Sequence, residues 1–85
     1  MNRDEILEEI NEERRRQSKW GESFDDKNTP NDWATYIVHY ATRACMRELD
    51  YGKIKKDMIK VAALAIAVIE TMERNEGKLA HRHYD

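Results

Sequence analysis

Apolar residues recur along this chain at intervals of three and four, the spacing of one face of an α-helix. Ile6, Leu7 and Ile10 make a short stripe in a first segment that predicts a helix over residues 2–19. Asp4, Glu5, Glu8 and Glu9 open it and Arg14, Arg15, Arg16 and Lys19 close it, complementing the helix dipole. Between Ile10 and Trp20 there is no aliphatic residue, so this helix is expected to dock only partly on its own chain. Residues 20–32 carry the Gly, Asp, Asn and Pro of an ordered turn, anchored to the core by Trp20 and Phe24. Asn31 or Asp32 is the expected N-cap of a second helix over 33–50. Its apolar positions are Trp33, Tyr36, Ile37, Tyr40, Ala41, Ala44, Cys45 and Leu49. Tyr51-Gly52 marks a break, and a third helix is expected over 53–75, with Gly77 as its C′ residue. The tail, 76–85, is too short to fold alone.

The third helix is basic at first, with Lys53, Lys55, Lys56 and Lys60, and then nearly apolar all round from Met58 to Met72. A helix apolar on every side is buried on every side. Two other helices of one chain cannot cover it. The expectation is therefore an all-α fold over residues 1–85: a helical hairpin plus a polar N-terminal helix, completed as a homo-oligomeric helix bundle. The short chain agrees, because small domains bury too little surface to be robust alone.

Composition narrows the chemistry. Fifteen Lys and Arg stand against seventeen Asp and Glu, a net charge of −2 that exerts no global pull on nucleic acid or anionic lipid. The Arg14-Arg15-Arg16 cluster lies among acids and reads as a solvated face. The longest apolar run, Val61 to Ile69, has nine residues, about half a membrane span. The polar, acidic start resembles no signal peptide, so a cytoplasmic protein is expected. Cys45, alone, cannot form an internal disulfide and reads as an inert core thiol. His81 and His83 form a His-x-His pair in the tail, with His39 far away. Glu70 and Glu73 read as a solvated pair. No metal site is expected from these spacings.

The run Glu13-Arg14-Arg15-Arg16-Gln17, with Lys19-Trp20-Gly21 after it, resembles the ERxRQxxKWG opening of small MazG-like proteins. These belong to an all-α superfamily of nucleoside triphosphate pyrophosphohydrolases. Trp33 would lead their second helix, and the segment Lys56 to Glu70 is similar to their third. The resemblance spans residues 12–74. The loop Phe24 to Trp33 and the ending Arg82-His83-Tyr84-Asp85 look like a phage-associated branch.

The resemblance implies Mg²⁺ held by EExxE on one helix and ExxD on the next. Those positions fall here on His39, Tyr40 and Arg43, and on Asp57 and Lys60. Four of the five acids are gone, and two are permanent cations. The expectation is a non-catalytic protein that needs no cofactor. His39, Arg43 and Arg47 would face Lys53, Lys56 and Lys60 across the hairpin and hold a phosphate directly. Trp20, Tyr36 and Tyr40 are the candidates for stacking a base, with Trp33 a further possibility. A phage protein that sequesters a nucleotide signal fits this pattern. One alternative is a divergent, Mg²⁺-dependent pyrophosphohydrolase working through Asp25, Asp26, Asp32 and Asp57. Another is an interaction module without a ligand.

Overall fold

The computed structural model describes residues 2–81. Every regular element among them is helical: α1 (Arg3–Gln17), α2 (Glu22–Lys27), α3 (Pro30–Cys45) and α4 (Tyr51–Arg74), with a 3₁₀ turn over Ser18–Trp20. None is long and apolar enough to cross a membrane. Helix α4 is the spine: α1, α2 and α3 all pack on it. The α3–α4 hairpin and the polar first helix are thus as expected. His83 and the Arg82–Asp85 ending lie outside the described residues.

Asn2 caps α1, its side chain accepting from the Glu5 N–H at 2.9 Å. The helix stops at Gln17, two residues early, where the 3₁₀ turn tightens the chain into Gly21. Gly21 has φ of +88°, a conformation that penalises any Cβ, which explains why a glycine follows Trp20.

The segment expected to be a turn contains α2. Its aspartates serve as tethers: Asp25 pairs with Arg14 at 2.9 Å and Asp26 with Arg74 at 2.9 Å. The cap of α3 is Thr29, where Asn31 or Asp32 was expected. The Thr29 hydroxyl accepts from the Asp32 N–H (3.2 Å), and the Asp32 carboxylate accepts from the Thr29 N–H (2.9 Å). This is a capping box with Pro30 in the first turn. We expect Thr29→Ala to cost about 0.5–2 kcal/mol, measured by urea denaturation, because the Asp32 N–H in the first turn of α3 loses its acceptor.

Helix α3 ends at Cys45, well before Asp50. Glu48 and Leu49 both take positive φ (50° and 66°), and the Asp50 side chain caps α4 through the Lys53 N–H. Tyr51 and Gly52 therefore open α4, and the break lies before them. At the other end Glu76, not Gly77, is the first left-handed residue (φ 58°). Gly77, at φ +81°, donates its N–H to the Met72 carbonyl at 2.7 Å, closing a Schellman-type cap.

The core is small. Trp33, Leu64 and Ala67 form its centre, with Tyr36, Ile37, Tyr40, Val68 and Leu79 packed around it. Cys45 is exposed, not a core thiol, because α3 ends there and Ala44 takes the inward position. Leu49 (72% exposed) lies in the loop. Trp20 and Phe24 do not reach the core: they remain 64% and 40% exposed and rest on each other, with centroids 6.0 Å apart.

Candidate functional site

The V-shaped space between α1 and α3, floored by α4, forms a cavity of about 320 Å³. Helical spacing explains who lines it. Leu64 and Ala67 rise from α4, Trp33, Tyr36 and Tyr40 descend from α3, and Glu13 and Gln17 come from α1. Trp20 and Phe24 stand at its border. The edge of the Trp33 ring meets Tyr36 at 6.2 Å, and the Tyr36 hydroxyl donates to the buried Asn28 side chain at 3.3 Å. These contacts fix the angle at which Tyr36 presents itself.

Lys60 reaches the same cavity and places its ammonium 5.2 Å from the Tyr40 ring centre. Lys19 sits in the same way 5.4 Å from the Trp20 ring. Both are cations resting on aromatic rings. Arg16, also lining the cavity, pairs with Glu13. Arg14 is held by Asp25 (2.9 Å) and Glu70 (2.7 Å), and its side chain is only 13% exposed. Arg14 is thus a structural tie and not part of a solvated face, and Glu70 has a partner. A second groove of about 380 Å³ adjoins the first, sharing Glu13, Arg16 and Lys60, and adds Lys55 and Lys56.

Two polar atoms of the aromatic cavity are buried without a hydrogen bond: Gln17 Oε1 and Trp33 Nε1. One accepts and the other donates. Unpaired buried polar atoms are expensive, so such a pair marks a place where a ligand has something to gain.

The basic residues divide. Lys56 and Lys60 lie along the grooves between α1 and α4. His39 lies on the outer side of α3 beside Val38, with its ring 4.9 Å from that of Tyr40. Arg43 and Arg47 were expected to hold a phosphate, and the chain supplies them with an anion of its own. Asp57 is wholly buried; one oxygen accepts from Arg43 (Nη2, 2.9 Å) and the other from Arg47 (Nε, 3.1 Å). The hydrogen bond from Arg43, then that from Arg47, holds the Asp57 carboxyl below the usual carboxylate range, although burial pushes the other way. Arg43 also stacks on Tyr40 at 5.2 Å, so Arg43 and Lys60 converge on one ring from two helices.

The carboxylates considered for catalysis do not gather. Asp25 faces Arg14, Asp32 completes the α3 cap and Asp57 faces two arginines. Hydrogen bonds from Asn75 and then Arg74 hold the Asp26 carboxyl low. Among the described residues no group of three or more His, Cys, Asp or Glu side chains could hold a metal ion.

Spacing alone missed Glu13, Gln17 and Leu64 as cavity residues. The only sequence signal for the first two was the Glu13–Gly21 run itself. No family model, curated protein or solved structure matches the chain.

Proposed function

We propose that the cavity binds a nucleotide directly, without a metal ion and without turning it over. The observation that carries this reading is the meeting of stacking surface and positive charge in one place. Tyr36, Tyr40 and Trp20 offer rings to a base, and Lys60 and Lys19 offer ammonium groups to phosphate. The orphan acceptor on Gln17 and donor on Trp33 suit the polar edge of a base or a ribose. The engagement of Asp25, Asp26, Asp32 and Asp57 with arginines and caps supports binding over hydrolysis, because a general base works with a free carboxylate of raised pKa.

The MazG-like resemblance supports a nucleotide as ligand, and a phage protein that sequesters a nucleotide signal in the cytoplasm is the role we infer. The same reading makes the protein a homo-oligomer.

The phosphate site narrows from the sequence expectation to Lys60, with Lys19 at the same cavity and Lys56 in the adjoining groove; Arg43 and Arg47 act as structural partners of Asp57. Calorimetric titration with ATP, AMP, adenosine and inorganic phosphate, each with and without EDTA, tests the proposal. We expect nucleotide binding that survives EDTA and weakens with salt. Lys60→Ala is expected to weaken it about 10- to 100-fold, the loss of one charge-assisted hydrogen bond. Release of diphosphate from ATP in Mg²⁺ would instead establish the hydrolase. Binding of none of these ligands would leave an interaction module.

A further inference from the structure

The charges that line the aromatic cavity mostly cancel one another. Arg14, Arg16, Lys19 and Lys60 stand there with Glu13 and Asp25. Arg14 is held by Asp25, and by Glu70 outside the lining, while Arg16 is held by Glu13. Lys19 and Lys60 remain, and neither forms an ion pair with any described residue. The cavity therefore offers an incoming anion two uncommitted ammonium groups.

Their positions matter as much as their number. The Lys19 ammonium lies 5.4 Å from the Trp20 ring centre, and the Lys60 ammonium 5.2 Å from that of Tyr40. The positive charge is thus set against the rings themselves. In a nucleotide only the α-phosphate lies close to the base, with one ribose between them, and any further phosphates extend outward. Outward from Lys60 the space continues into the second groove, which adds Glu9, Glu12, Lys55 and Lys56. Lys55 is already paired with Glu9 at 3.3 Å. Glu12 offsets Lys56 in charge, so this extension has no net positive charge for a longer phosphate chain. Size points the same way, because about 320 Å³ is at the small end of the range of about 300–1,000 Å³ for ligand cavities.

We propose that the cavity takes a nucleoside monophosphate and rejects the triphosphate. The proposal rests on the nucleotide-binding reading and adds the length of the phosphate chain. A phosphate monoester carries about −1.5 to −2 charge at pH 7, which Lys19 and Lys60 balance. A triphosphate has to set its outer groups beside Glu12 and Glu9, where like charges repel. At the other end of the ligand the Trp33 indole N–H, on a residue 3% exposed and without a hydrogen bond, supplies a buried donor for base or ribose.

Calorimetric titration of the full chain in EDTA, at fixed ionic strength, tests this. The ligands are the nucleoside, 5′-monophosphate and 5′-triphosphate of adenine, guanine, cytosine and uracil. For the base that binds, the monophosphate is expected to exceed the nucleoside at least about 100-fold, the worth of two charge-assisted hydrogen bonds, and the triphosphate at least about 10-fold. Lys19→Ala should weaken the monophosphate about 10- to 100-fold, as Lys60→Ala does, and the double variant should bind it no better than the nucleoside. Glu12→Gln, at an exposed position, should narrow the gap by raising triphosphate affinity. Circular dichroism confirms that each variant keeps its helices. A triphosphate bound as tightly as the monophosphate, or a monophosphate bound no more tightly than the nucleoside, would overturn this proposal and leave the nucleotide reading standing. Binding in none of the four series would overturn both.

Discussion

Asp57→Ala is expected to lower the melting temperature by more than about 10 °C, one of the largest single-residue effects in the molecule. The Asp57 side chain has no exposure to water and binds guanidiniums on both oxygens. It joins the end of α3 and the loop after it, through Arg43 and Arg47, to the second turn of α4. Alanine would leave two cations one helical turn apart with nothing between them. Asp57→Asn should be nearly as harmful, since it keeps the shape and loses the charge. Arg43→Ala should be milder, because Arg47 stays. It is nonetheless destabilising, because it removes one of the two guanidiniums bonded to the buried carboxylate.

The pH dependence has a definite sign. The folded carboxyl titrates below its unfolded value of about 3.9. As pH falls the unfolded chain is protonated first. The stabilisation from Asp57 is complete above the unfolded value and is lost as pH drops through the folded one. Urea titrations across the acid range should show this loss in the wild type and a flatter profile in Asp57→Ala. Equal acid sensitivity in the two proteins would show that Asp57 is not the group responsible.

Trp33→Ala is expected to cost about 3–5 kcal/mol, enough to leave a domain of this size largely unfolded. Trp33 is 3% exposed and sits at the centre of the core against Leu64 and Ala67. It is also a wall of the cavity. Trp33→Phe separates the two roles. It removes volume, but also a buried N–H that has no partner, so its cost should stay within about 1–2 kcal/mol. Nucleotide affinity should fall further than stability does if the indole N–H meets the ligand. Thermal melts with and without ATP measure both. A Trp33→Phe protein with unchanged affinity would remove the indole from the proposed contacts.

The hairpin was legible because its helices are apolar at helical intervals; Trp33 and Ala44 stand where that spacing puts them, while Leu64 and Ala67 came from a stretch apolar on every side, whose inward face the spacing did not single out. Helix α2 was not. Six residues do not complete two turns, and its aspartates are also what turns are made of. Nor was the loop after Cys45 legible, since left-handed residues such as Glu48 and Leu49 leave no periodic trace. In the site, the aromatic residues could be picked out one by one. The Asp57 clamp could not, because spacing along one helix shows which charges share a face but not what the facing helix sets against them. Arg43 and Arg47 therefore read as a binding stripe until Asp57 stood between them.

Helix α1 is fastened to α4 largely by charge: Arg14 to Glu70, and Glu9 to Lys55 at 3.3 Å, with Ile6 and Leu7 still 38% and 47% exposed. In the language of local unfolding, we expect it to open as a cooperative unit at a lower free energy than the α3–α4 hairpin, which hydrogen exchange of the α1 amides would measure. Salt lowers that energy further, since exposed ion pairs are screened. One wall of the cavity, Glu13 and Gln17, leaves with α1 whenever it lifts. A ligand that touches Gln17 and Tyr40 together bridges the mobile unit and the fixed one. Part of its binding free energy is then spent on holding the molecule closed, and tight capture and slow release become a single property of α1.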